Sequence, residues 1–240
     1  MKAVIVAAGR GSRLLEQRPK TLMPFGQHTI LYVIMQNLAR AGIDSFVIVS
    51  GYQADSLQAY LASQSPWPFQ IELLYNPEWM QGNGRSVLVA EAAIGQQPFV
   101  LSMADHLVSV PALQRLVRAS SQANLLLVDR RLQTIFDLDD ATKVQLAGDH
   151  IVHIGKELAT YDGIDCGVFR LTPRFFTAMR SRLQHQEDSI SAAVRVLSQD
   201  RDMQAVFLHE TDFWIDIDTP RAYTYAQQHS QCVLDGGELC

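Results

Sequence analysis

Short apolar runs alternate along the chain with stretches in which apolar positions recur at helical spacing. Residues 2–8 (KAVIVAA) are apolar on both faces, the pattern of a strand buried in a parallel sheet. Ile30 to Ala41 has helical periodicity and stops at Gly42, where a left-handed cap fits. Residues 46–50 read as a second strand, and residues 54–63 as a second amphipathic helix. Residues 69–75 are strand-like, with the turn signal Asn76-Pro77 behind them. Residues 86–94 read as one helix capped by Gly95, and residues 99–103 as a further buried strand that runs out at Asp105.

This β-α-β-α-β-α-β order predicts an α/β fold with parallel strands joined by crossovers. Such sheets collect ligands beyond the carboxyl ends of their strands, where both the polar loop from Gly9 to Lys20 and Asp105 fall. The second half is less regular. It predicts strands at 125–128, 143–146, 151–154, 164–171, 205–208 and 213–217, and helices at 173–183, 190–197 and 219–228. No repeat or linker divides the chain, so one domain over residues 1–230 is expected, followed by a frayed tail over 231–240.

Composition narrows the function. Of 240 residues, 48% are hydrophobic and 19% charged, as in ordinary globular domains, and the formal charge of −5 argues against a nucleic-acid binder. Cys166, Cys232 and Cys240 show no CxxC spacing and read as free thiols in a reducing compartment. The apolar run after Lys2 is too short for a signal peptide, and no stretch approaches the roughly 18 apolar residues of a membrane span. A cytoplasmic protein is expected.

The loop after the first strand reads Ala7-Ala8-Gly9-Arg10-Gly11-Ser12-Arg13, with Pro19-Lys20 beyond it. It is neither a Walker A loop nor a full dinucleotide fingerprint, whose third glycine would fall at Leu14. Two glycines let the backbone approach a ligand, and Arg10, Arg13 and Lys20 supply cations suited to a triphosphate. A solvated basic loop is the plainer alternative. Asp105, in Met103-Ala104-Asp105-His106, is either a helix cap or a Mg²⁺ ligand. Asp216 and Asp218 stand two apart, on one face if the segment is extended, and such a pair calls for a metal or an Arg/Lys partner. Asp218 also precedes Pro220 closely enough to cap the last helix. Lys156, after a glycine at a strand end, suits either an acceptor phosphate or a solvated surface. His150 and His153 lack a third ligand, so a zinc site is not expected.

These motifs together resemble the nucleotidyltransferases that make activated sugars and alcohols. The match runs through AAGRGSR…PK, Asn76-Pro-Glu-Trp79…Gly82-Asn83-Gly84, Ala104-Asp105-His106, Ile154-Gly-Lys-Glu-Leu158…Tyr161-Asp162-Gly-Ile-Asp165 and Trp214-Ile-Asp-Ile-Asp-Thr-Pro220. Across about residues 1–225 it is most similar to the inositol-1-phosphate cytidylyltransferase branch, with the phosphocholine and sugar-1-phosphate enzymes as alternatives within the superfamily. A nucleotide-sugar glycosyltransferase or a non-catalytic nucleotide sensor stands outside it.

The resemblance implies a Rossmann-like three-layer α/β/α fold with a central, mostly parallel mixed sheet. It implies Ala7, Ala8 and Gly9 beside the nucleoside, Arg10, Gly11, Ser12, Arg13 and Lys20 around the triphosphate, and Gly82, Asn83 and Gly84 at the base. Asp105 with Asp216 or Asp218 would hold Mg²⁺; Lys143, Lys156, Glu157 and Asp165 would face the acceptor. The implied substrates are CTP and a phosphorylated polyol, and a homodimer is one expectation. Ser12 and Cys166 stand where the family commonly has Thr, and the second bears on acceptor identity. Some relatives carry a fused membrane domain, so a separate downstream partner is expected. The implied chemistry is in-line attack of an acceptor phosphate oxygen on the α-phosphorus, needing no general base and giving no histidine a role.

Overall fold

The apolar run at the start of the chain becomes β1 (Lys2–Ala7), whose alternate side chains enter two separate cores. The computed structural model describes residues 1–11 and 18–234. After a 3₁₀ turn at Lys20–Leu22 come a small hairpin, β2 (Pro24–Phe25) and β3 (His28–Thr29), and α1 (Ile30–Arg40). Then follow β4 (Ser45–Ser50), α2 (Ala54–Ser63), β5 (Gln70–Tyr75), α3 (Asn83–Val89), α4 (Glu91–Ile94) and β6 (Phe99–Met103). The second half comprises β7 (His106–Val108), α5 (Val110–Arg118), β8 (Asn124–Asp129), β9 (Lys143–Ala147), β10 (His150–Gly155) and β11 (Gly163–Leu171). It ends with α6 (Arg174–Leu183), α7 (Ile190–Gln199), β12 (Met203–Phe207), β13 (Trp214–Asp216), α8 (Pro220–Gln228) and α9 (Ser230–Leu234).

Nine strands form one sheet in the order β5-β4-β1-β6-β11-β8-β12-β10-β9. The first-half strands β5, β4, β1 and β6 are all parallel, as the β-α alternation predicts. β11 enters antiparallel between β6 and β8, and β12 runs parallel to β8, so the sheet is mixed. Ala3, Ile5 and Ala7 face α1, α2, α5 and α8, whereas Val4 and Val6 face α3, α4, α6 and α7. Helices thus cover both faces, the three-layer α/β/α arrangement that two-sided apolar strands require.

Local signals account for the helix ends. Thr29, Ser189 and Thr219 each accept from a backbone N–H three residues on, capping α1, α7 and α8. The cap of α8 is therefore Thr219 and not Asp218, which leaves the aspartate for other work. Gly42 has φ +107°, as expected of the residue that closes α1.

Three expectations need correction. The helix expected over 86–94 is two helices divided at Ala90, with α3 starting earlier, at Asn83. The tail expected after 230 begins as α9, with Val233 fully buried and its carbonyl accepting from the buried Asn37 amide, because α1 leaves an apolar patch there to cover. Cys166 is a buried free thiol, but Cys232 is disulfide-bonded; pairing follows proximity in space, which spacing along the chain does not encode.

Candidate active site

β1 and β6 are parallel neighbours, so the segments leaving their carboxyl ends emerge side by side. Ala7, Ala8, Gly9 and Gly11 line one wall of a cavity there, and Ala104 and Asp105 line the wall beside it. The Ala104 N–H donates to the Val6 carbonyl at 3.2 Å, extending the sheet contact past the formal strand end. Beyond Asp105 the chain enters β7, which pairs antiparallel with β13 so that His106 lies opposite Asp216. The Ile217 N–H donates to the Asp105 carbonyl at 2.9 Å and continues this ribbon. Residues more than a hundred positions apart are thereby locked into one register.

The ribbon gathers three carboxylates around one ammonium. Lys20, only 6% exposed, lies with Nζ 2.8 Å from Asp105 Oδ2, 3.9 Å from Asp216 Oδ1 and in hydrogen-bond contact with Asp218. Burial opposes its charge, but the three aspartates outweigh burial and hold the ammonium well above the usual lysine range. Burial would raise Asp105; Lys20 and then His106 reverse this and hold it below the usual carboxylate range. Asp216 is pushed up to about 6, chiefly by burial, with the neighbouring carboxylates adding to the effect.

His106 completes the group. Its Nε2 is 3.7 Å from Asp105 Oδ1 and 3.7 Å from Asp216 Oδ2, while Nδ1 is 2.9 Å from the Cys166 carbonyl oxygen and 3.1 Å from Trp214 Nε1. Burial would lower it, but Asp216, Asp105 and Asp165 prevail and raise it above the ordinary histidine value. The ring has room because Gly167 has φ +70°, and a Cβ there would lie 2.4 Å from His106 Nδ1. Asp105 Oδ1 and Asp216 Oδ1 are buried with no hydrogen-bond partner among the described residues. Asp105 Oδ1, an orphaned oxygen beside the histidine, fits a divalent cation held by Asp105, His106 and Asp216.

A second cavity opens on the far side of this group. Asp216, His106 and Trp214 line it, together with Lys156, Asp140, Thr142, Asp165 and Ser191. Asn83, Met103 and Asp218 border both cavities, so the two adjoin across the acidic group. Burial raises Asp165 to about 6, against the opposing donation of the Gly167 N–H at 2.7 Å. Lys156 Nζ lies 2.8 Å from Asp140 and is about half exposed.

The sequence-derived residues distribute unevenly over this geometry. Ala7, Ala8, Gly9, Gly11, Lys20, Asn83 and Asp105 line the first cavity; Asn83, Lys156, Asp165, Asp216 and Asp218 line the second. Ser12 and Arg13 lie outside the described residues. Arg10 instead stands over the Tyr52 ring, 5.7 Å from its centroid. Gly82 and Gly84 back onto the Asp188 loop, where added Cβ atoms would lie 2.1 Å from Asp188 and 2.3 Å from Met179. Their glycine identity thus answers to this packing. Lys143 donates to the Lys156 carbonyl at 2.8 Å and stands over Tyr161, and Glu157 is exposed away from the cavity wall. Asp218 lies just past the end of β13 rather than in a shared strand with Asp216, yet still reaches Lys20.

His106 and Trp214 are the residues that sequence reasoning left without a role. The adjacency of His106 to Asp105 was the only available signal, since the β7–β13 pairing that gives it meaning is long-range.

Residues 3–154 match the family model of the MobA-like NTP transferase domain. The chain is 30% identical over 228 residues to the bifunctional IPC transferase and DIPP synthase of Thermococcus kodakarensis, covering 95% of this chain and 50% of that protein. It is also 30% identical over 219 residues to the protein of the same name from Archaeoglobus fulgidus, covering 91% and 41%. It therefore spans half or less of the length of these relatives. The solved structure of the inositol-1-phosphate CTP transferase from T. maritima superposes with a TM-score of 0.85 at 22% identity, covering 100% of this chain and 98% of that one.

Proposed function

Because the chain belongs to the MobA-like NTP transferase family, and so to the nucleotidyltransferases, we propose that it joins CTP to inositol 1-phosphate and releases pyrophosphate. The observation that carries this reading is the pair of adjoining cavities with Lys20, His106 and three aspartates at their junction. Two substrates meeting across a charged seam is what transfer of a nucleotidyl group between them requires. The names of the T. kodakarensis and A. fulgidus relatives and of the T. maritima structure support inositol 1-phosphate and CTP as the pair.

In this reading the nucleotide occupies the cavity edged by Ala7, Ala8, Gly9 and Gly11, with its α-phosphate toward Asp105. Arg13 joins Lys20 in countering the triphosphate. The acceptor enters the second cavity, with its phosphate toward Lys156 and its hydroxyls toward Asp165. An acceptor phosphate is already anionic near neutrality, so attack on the α-phosphorus needs no general base. The work of the protein is to align the reactants and to counter charge that develops on the leaving pyrophosphate. Asp105 and Asp216, with Asp218 behind Lys20, would hold Mg²⁺, which when bound supplies Lewis-acid stabilisation of the phosphoryl oxygens. Use of CTP fits a cytoplasmic enzyme.

The test is a pyrophosphate-release assay that crosses CTP, UTP, ATP and GTP with inositol 1-phosphate, phosphocholine and glucose 1-phosphate. Turnover confined to CTP with inositol 1-phosphate is expected. Turnover with UTP and glucose 1-phosphate would move the chain to the sugar branch, and no pyrophosphate with any pair would overturn the reading.

A further inference from the structure

The oxygens of Asp105 and Asp216 are divided between Lys20 and His106. Asp105 Oδ2 and Asp216 Oδ1 face Lys20, at 2.8 and 3.9 Å. Asp105 Oδ1 and Asp216 Oδ2 face the other way, each 3.7 Å from His106 Nε2. That spacing is too long for a hydrogen bond. It is, however, close to the separation of about 3.6 Å expected between two ligands that subtend about 120° at a metal with bonds of about 2.1 Å. The three atoms thus frame a position on the side of the carboxylates that Lys20 does not occupy. A cation there does not have to displace the lysine.

The histidine is oriented for this task from behind. The Cys166 carbonyl can only accept, and at 2.9 Å it holds the proton on Nδ1. The Trp214 N–H, at 3.1 Å, is the longer and competing contact. A cation bound there would displace any proton on Nε2 and meet its lone pair, while the carbonyl keeps the proton on Nδ1. A backbone carbonyl that fixes the far nitrogen is a recurring support for metal-binding histidines. Gly167 makes this possible, since any side chain there would occupy the ring's position.

We propose that His106 Nε2 is a metal ligand alongside Asp105 and Asp216, so that a divalent cation there sits in a mixed nitrogen and oxygen sphere. The inference rests on the metal assignment made under Proposed function, but it concerns what binds the cation and not what the enzyme turns over. An imidazole ligand favours transition metals, whereas magnesium prefers carboxylate, phosphate and water oxygens.

The experiment uses the full-length, metal-stripped protein titrated with Mn²⁺ and followed by electron paramagnetic resonance. Pulsed spectra of bound Mn²⁺ are expected to show coupling to one nitrogen, which changes when the protein is labelled with ¹⁵N-histidine. Because the labelled protein has no substitution, the result does not depend on a variant folding. In His106→Gln the nitrogen signal is expected to vanish, and Mn²⁺ binding to weaken by about tenfold or more, with Mg²⁺ binding weakened less. Mn²⁺ bound with oxygen ligands alone, or no Mn²⁺ bound at all, would overturn the proposal. Pyrophosphate release is scored separately. Nitrogen-coupled Mn²⁺ without turnover would sink the functional reading and leave this inference standing, and turnover with an oxygen-only sphere would do the reverse.

Discussion

The Lys20 ammonium lies 2.8 Å from the Asp105 carboxylate across 85 residues of sequence, and it ties the chain beyond the glycine-rich loop to the acidic half of the site. The same lysine reaches Asp216 and Asp218, so a single buried cation balances three carboxylates.

Replacing it should therefore be felt twice. Lys20→Met leaves buried carboxylates without their partner and is expected to destabilise the fold by about 3 kcal/mol. Thermal unfolding with and without Mn²⁺ reads this, and added metal should recover part of the loss. Turnover should fall at least a hundredfold. A variant as stable as the parent without metal would show that the ammonium does not neutralise the group.

Asp105→Asn keeps the shape and removes a charge from the cation position. Turnover should be abolished at saturating metal while circular dichroism and the unfolding midpoint stay near those of the parent. Unchanged turnover would remove Asp105 from the site.

Asp165 gives a pH signature. Burial raises its pKa from 3.8 to about 6, so the folded chain holds this proton more tightly than the unfolded chain does. The resulting stability is complete below about 4 and is lost as pH climbs through about 6. Urea midpoints measured from pH 4 to pH 7 should fall more steeply for the parent than for Asp165→Asn, by on the order of 1 kcal/mol. Parallel profiles would mean that the carboxyl is not held in its protonated form.

Lys156→Ala tests the acceptor side. The side chain is about half exposed and paired only with Asp140, so stability should change by less than about 0.5 kcal/mol. The KM for the phosphorylated acceptor should rise about tenfold or more, with the KM for the nucleoside triphosphate unaffected. An equal rise in both would place the lysine elsewhere in the reaction.

Gly167→Ala probes the support behind His106. A Cβ there meets the imidazole and the backbone has φ +70°, so a loss of about 1–3 kcal/mol is expected. Mn²⁺ affinity should fall with it, because the ring is pushed off its carbonyl. Retained affinity in a destabilised variant would separate the glycine from the site.

Much of this was readable along the chain, for identifiable reasons. Val4 and Val6 against Ile5 and Ala7 announce a strand with two apolar faces, and that alone fixes β1 inside a covered sheet. Asp105 was visible because it ends such a strand, and the loop at Gly9 because it begins after one. His106 escaped because its meaning comes from Asp216, which only the β7–β13 register brings opposite it. Gly82 and Gly84 carry a constraint that is invisible in one dimension: each leaves room for the Asp188 loop. Lys143 and Lys156 are alike as letters, and only the fold turns one toward Tyr161 and the other into the cavity.

The β7–β13 ribbon also separates assembly from competence. All nine strands of the large sheet are contained in residues up to Phe207, whereas Asp216 and Asp218 follow only after it. Joining segments so distant in sequence is an entropically slow step. The large sheet is thus complete in sequence before the residues of the acidic seam, which join it through the β7–β13 pairing.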